Sequence, residues 1–96
     1  MSEKKNKTRF ARDFKILNQY GIHARPAALL VKTISRFRSD VTVEKGSVRV
    51  SGKSIMGLMT LEAYHGVVIR VVAEGEDAEQ VIDEVQKLIE QKFYEE

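Results

Sequence analysis

Apolar residues alternate with polar ones along some stretches of this chain and recur at helical spacing along others. Val41-Thr42-Val43-Glu44 and Val48-Arg49-Val50-Ser51 alternate with period two, with Lys45-Gly46-Ser47 between them. Alternation on both sides of a glycine-containing turn predicts a β-hairpin. Phe14-Lys15-Ile16-Leu17 predicts an earlier strand, ended by Tyr20-Gly21. From Ala24 onward, Ala27, Leu30, Val31, Ile34 and Phe37 fall at helical spacing, so a helix is predicted to about Phe37. Pro26 fits only its first turn, where backbone N–H groups lack intrahelical partners.

Ser54 precedes Ile55-Met56-Gly57-Leu58-Met59, which predicts one or two helical turns capped by the serine. Val67 to Val72 is a β-branched run interrupted only by Arg70, the mark of a central strand, and Gly75 ends it. A last helix is predicted from Asp77, with Gln80 as its capping-box partner. Its apolar face is Val81, Val85, Leu88 and Phe93, widened by Ile82 and Ile89. The order is β-α-β-β-α-β-α. Helices on one face of a four-stranded, mostly antiparallel sheet make an α+β open-faced sandwich. No internal repeat is evident.

With 96 residues the chain is expected to form one domain, over residues 10–96, behind a basic tail over residues 1–9. The hydrophobic share of 43% and charged share of 31% fit a soluble globular domain. There is no cysteine, which excludes disulfides and thiol chemistry. No apolar run approaches the roughly 20 residues of a membrane span. The charged start MSEKKNKTR has no apolar segment behind it, unlike a secretory signal. A cytoplasmic protein without membrane insertion is the expectation.

The net charge of +2 decides little. Lys4, Lys5, Lys7, Arg9 and Arg12 crowd the first twelve residues, as in a solvated tail. A nucleic-acid arm would need an aromatic stacking platform or a basic stripe, and the body offers neither.

Gly52-Lys53-Ser54 resembles the end of a phosphate loop, but Ser47 stands where the loop needs its first glycine. His23 and His65 are 42 residues apart and have no metal-site spacing. His65, in Tyr64-His65-Gly66, reads as a surface loop residue. His23 directly precedes the predicted helix. The first backbone N–H groups of a helix are unpaired and its dipole end is positive, so such an end accepts phosphate. Arg25 can add a charge-assisted, bidentate contact, and an imidazole is a nucleophile near neutral pH. The residues suggest a histidine that becomes phosphorylated; a histidine that only caps the helix is the alternative.

His23-Ala24-Arg25-Pro26-Ala27 resembles the active-site signature of the HPr family, the histidine-containing phosphocarriers of the bacterial phosphoenolpyruvate-dependent sugar phosphotransferase system. Lys53-Ser54-Ile55-Met56-Gly57-Leu58-Met59 resembles the family's second signature, around its regulatory serine. The resemblance runs from about residue 13 to 93, and the predicted element order is the family's. It implies that His23 takes a phosphoryl group on Nδ1 from phosphorylated enzyme I and passes it to an EIIA component, with Arg25 holding the phosphoryl oxygens. It implies no cofactor and no metal, a monomeric carrier, and partner docking through Ala24, Pro26, Ile55, Met56 and Met59. At least one of the last three is also expected to pack in the core.

Ser54 reads both as a helix cap and, by resemblance, as the site of the HPr kinase/phosphorylase of many bacteria. Val50-Ser51-Gly52 departs from the family pattern, being more polar and flexible. Its glycine is similar to the nitrogen-branch paralogue, so sugar uptake and a regulatory phosphorelay both stay open. The catabolite-repression paralogue without the active histidine is disfavoured by His23. From other classes, a nucleic-acid-binding module or a non-catalytic interaction domain stand as alternatives.

Overall fold

The computed structural model describes residues 8–95. Its elements are β1 (Arg9–Lys15), α1 (Ala24–Ile34), β2 (Asp40–Lys45), β3 (Val48–Ser51), α2 (Ile55–Thr60), β4 (Val68–Glu74), α3 (Ala78–Glu90) and a 3-10 turn at Lys92–Tyr94. The strands form one antiparallel sheet in the order β1-β4-β2-β3, with the three helices on one face. The predicted central strand is indeed interior. Ile69, Val71 and Ala73 of β4 alternate toward the helices and are buried together with Val41 and Val43 of β2 and Leu30, Ile34, Val81, Ile82, Val85 and Ile89 of α1 and α3. Each fully buried large side chain contributes about 1.5–3 kcal/mol of transfer free energy. The basic tail expected over residues 1–9 lies, for residues 1–7, outside the described residues, and Arg9 opens β1.

The hairpin closes through two residues, Gly46 and Ser47, since Lys45 pairs with Val48. Gly46 has φ 58, and a tight two-residue loop favours glycine at its first position.

β1 begins five residues before the predicted strand and stops short of Leu17. Phe10, Arg12 and Phe14 share one side of it. Arg12 interrupts that apolar alternation, and its guanidinium reaches α3, donating to Asp83 (3.0 Å) and Gln86 (2.8 Å). An edge strand leaves room for a long side chain to leave the core this way. α1 ends at Ile34 rather than near Phe37. Arg36 N and Phe37 N bond three residues back, to Thr33 O (3.2 Å) and Ile34 O (3.0 Å). The tightened turn still packs Phe37 against the core.

Two further expectations are corrected at α3. The capping box is not formed, because the Asp77 side chain caps nothing in its own helix. Instead Asp77 accepts from Arg38 N (2.9 Å), Ser39 N (3.0 Å) and the Ser39 hydroxyl, tying α3 to the α1–β2 connection. Phe93 lies beyond the helix, fully buried, in a turn where Lys92, Phe93 and Tyr94 have φ of 53, 54 and 60. Left-handed backbone costs a side-chain-bearing residue about 1–2 kcal/mol, so the burial of Phe93 has to hold this turn. Gly52 is likewise not a flexible point. It is buried, its N–H donates to Val41 O (2.8 Å), and a Cβ there would lie 2.9 Å from Val41 Cγ1 and 3.1 Å from Ile34 Cδ1. The glycine is required by close packing.

The Ser39 hydroxyl, followed by the Arg38 N–H, holds the Asp77 carboxyl below the usual carboxylate range. An ionised carboxylate can accept on both oxygens, whereas an amide must turn an N–H toward one of these donors. Asp77→Asn is therefore expected to cost about 1–3 kcal/mol in urea unfolding at pH 7. A lowered folded pKa stabilises above the unfolded value of about 3.9 and stops doing so as pH falls through the folded value. The gap between Asp77→Asn and wild type should thus narrow in acid below that point. A gap that is constant from pH 7 to pH 2 contradicts this account.

Candidate functional site

The segment between β1 and α1 presents His23 because it is pinned at its base. Gly21 adopts φ 69, and Ile22, buried beside it, donates its N–H to Ala63 O at 2.9 Å. His23 follows in extended backbone (φ −96, ψ −163) at the N-cap of α1, and its carbonyl accepts from Ala27 N at 2.9 Å. Its ring makes no capping hydrogen bond. The N–H groups of Ala24 and Arg25 have no intrahelical partner, and Pro26, in the first turn as predicted, has no N–H to offer. A helix end with open amides, a half-exposed imidazole and the exposed Arg25 side chain meet here.

The ring is held from the other side. Nε2 lies 2.8 Å from Glu95 Oε2, and Glu95 Oε1 accepts from Asn18 Nδ2 at 2.9 Å. Asn18 Nδ2 also donates to Gly21 O at 2.8 Å. Asn18 is buried, and the Glu95 side chain is only 13% exposed. The Asn18 amide, followed by the His23 ring, holds the Glu95 carboxyl below its ordinary range, and the Arg25 charge acts in the same direction. Tyr20 stands edge-on to the imidazole, centroids 6.3 Å apart. Neither Asn18 nor Glu95 was found by sequence reasoning. A glutamate followed by another glutamate beyond a helix carries no periodicity or spacing signal, and Asn18 reads as an ordinary turn residue.

His65 is an exposed turn residue, as expected, with Nδ1 3.3 Å from Asn18 O. Ser54 occupies the N-cap of α2, where its Oγ accepts from Gly57 N at 2.9 Å. Ile55, Met56 and Met59 are 41%, 77% and 43% exposed, so none of the three is the expected core residue; Leu58 fills that place at 0%. Pro26 is buried in the first turn of α1 and cannot offer its ring to a partner as anticipated, whereas Ala24 is exposed. Among the described residues, no helix is long and apolar enough to cross a membrane.

Residues 10–91 match the family model described as the PTS HPr component phosphorylation site. Phosphocarrier protein HPr of Treponema pallidum is 42% identical over 85% of this chain and 93% of its own length. The HPr-like protein Crh of Bacillus subtilis is 40% identical over 75% of this chain and 85% of its own. The crystal structure of HPr from Thermoanaerobacter tengcongensis superposes with a TM-score of 0.87 at 47% identity, covering 91% of this chain and 98% of that one. On this match in sequence and in fold, the chain belongs to the HPr family of phosphotransferase-system phosphocarriers.

Proposed function

We propose that His23 is the phosphoryl acceptor, that phosphorylated enzyme I is the donor and that EIIA components of sugar permeases are the acceptors. The observation that carries this is a nucleophilic ring that stands at an open helix N-terminus without capping it. The Nδ1 lone pair attacks phosphorus, the N–P bond of the donor breaks, and the donor nitrogen keeps that electron pair. The new charge meets the free Ala24 and Arg25 amides and the Arg25 guanidinium. Transfer of this kind rests on positioning and electrostatics, so on this reading the carrier recruits no metal or cofactor, and we take it to act as a monomeric cytoplasmic relay. The exposed Ile55, Met56 and Met59, with Ala24, supply an adaptable apolar docking surface.

The test is incubation with enzyme I and labelled phosphoenolpyruvate, followed by peptide mapping. Acid-labile, base-stable label on the peptide that holds His23 is the expected result. Label on His65, or none, overturns the proposal.

Ser54 is proposed as the regulatory site of an HPr kinase/phosphorylase. A phosphate there adds about −1.5 to −2 charges next to Ile55 in sequence, on the proposed docking surface. Ser54→Asp is expected to slow labelling of His23 with little change in melting. Ser54→Ala removes the bond to Gly57 N, which should cost about 0.5–2 kcal/mol at an unchanged labelling rate. If Ser54→Asp is labelled as fast as wild type, Ser54 is a helix cap and no more.

A further inference from the structure

We infer that Glu95 is a positioning residue that sets the tautomer of His23; the inference rests on His23 being the acceptor. A carboxylate accepts hydrogen bonds and donates none. With Glu95 Oε2 at 2.8 Å, Nε2 must carry the ring proton. In the neutral imidazole that leaves Nδ1 with its lone pair bare. Among the described residues, no hydrogen bond engages Nδ1.

The carboxylate is itself fixed. Gly21 O and Glu95 Oε1 are both acceptors, so the Asn18 amide must turn Nδ2 toward the two of them. Its Oδ1 is left buried without a donor among the described residues. A buried polar atom left unpaired is uncommon, and here it accompanies an amide oriented for what its nitrogen supplies. From the far side, the left-handed turn at Lys92–Tyr94, anchored by Phe93, carries the backbone to Glu95. A chain of bonds thus runs from the Gly21 carbonyl through Asn18 and Glu95 to Nε2, and it ends at the ring whose other nitrogen reacts.

The consequence for transfer is that no proton needs to move. Nδ1 attacks with its lone pair while the Nε2 proton stays shared with Glu95. When the N–P bond breaks on delivery, the electron pair returns to Nδ1 and the starting tautomer is restored.

Glu95→Gln gives a sharp test because the substitution is isosteric. Asn18 Nδ2 will take the new amide oxygen, so the amide NH2 must face His23 Nε2. Nε2 then has to accept, and the ring proton is driven onto Nδ1. The wrong tautomer costs a serine-protease histidine about 10⁴-fold, so labelling of Glu95→Gln by enzyme I is expected to fall about 10²-fold or more. Glu95→Ala frees the ring to populate both tautomers and should lose roughly two- to tenfold, the drop in the competent fraction. The smaller truncation should therefore be the milder change.

The ring 15N spectrum at alkaline pH reads the same hold without enzyme I. Wild type should show protonated Nε2, Glu95→Gln protonated Nδ1, and Glu95→Ala a mixture, with thermal unfolding showing all three folded. A wild-type tautomer in Glu95→Gln, or labelling of Glu95→Gln at or above that of Glu95→Ala, overturns the inference. If wild type is not labelled at all, the acceptor assignment fails separately, and the spectra still decide whether Glu95 sets the tautomer.

Discussion

His23→Ala is expected to abolish labelling from phosphoenolpyruvate while leaving the fold in place. The His23 backbone does the structural work at this helix end, through His23 N to Gly21 O and Ala27 N to His23 O, and alanine keeps both bonds. The lost side chain caps nothing. Among the described residues its one hydrogen bond goes to Glu95, which keeps its bond to Asn18. Removing one such bond costs about 1 kcal/mol, a fall of about 4–8 °C in melting for a domain of this size. Transfer, by contrast, loses its nucleophile, and His65 is not expected to replace it, because it lies in the turn before β4 and occupies no helix N-cap. Calorimetry and labelling on one preparation check both halves. Label on the variant, or a variant that does not fold, contradicts the assignment.

The strands and helices were legible because their periodicities were nearly unbroken, and the reactive end of α1 was legible because His23, Arg25 and Pro26 are local to it. What was not legible came from contacts distant in sequence. Arg12 stands on the inward side of β1, so the strand lost its alternation signal although the guanidinium leaves the core at the edge. Asp77 carries a good capping signature, but Ser39 and the Arg38 N–H outcompete its own helix for the carboxylate. Phe93 continues the apolar period of α3, yet it reaches the core from a left-handed turn that no spacing rule anticipates. Glu95 becomes functional only through that turn. Gly52 looked like flexibility because a sequence does not reveal that Val41 and Ile34 press against it.

Gly21→Ala is expected to give the largest loss of stability from a single added methyl group. The position needs φ 69, where alanine pays about 1–2 kcal/mol. A Cβ there would lie 2.4 Å from Ala63 O and 2.8 Å from Tyr64 Cα, both backbone atoms that cannot rotate aside. The His23 segment must lift from residues 63 and 64, which breaks the bond from Ile22 N to Ala63 O and uncovers Ile22. Together these place the cost at about 3–5 kcal/mol, in the upper tail for single substitutions. Gly46→Ala is the matched comparison: φ is 58, but nothing lies within 4 Å of the added atom. It should lose only the backbone cost of about 1–2 kcal/mol. Equal urea midpoints for the two variants would sink the packing explanation. Because Gly21 O is the first link of the chain that ends at His23, the variant should also slow labelling when tested at temperatures where it remains folded.

The register of the sheet also sets an order of events in time. The β2–β3 hairpin closes across two residues, and β2 joins β4 over 26 to 34 positions, from Glu44 with Arg70 to Asp40 with Glu74. β1 must wait for partners 53 to 65 positions away, Lys15 with Val68 and Arg9 with Glu74. Loop closure grows costlier with length, by about 0.6 kcal/mol for each doubling, and distant pairings slow folding. The edge strand β1 is therefore the last to dock. The His23 segment hangs between β1 and α1, and its lower anchor, Asn18, lies three residues beyond the end of β1. A folding intermediate with the hairpin and β4 already joined would hold most of the sheet and still be chemically silent, because its histidine would not yet be seated.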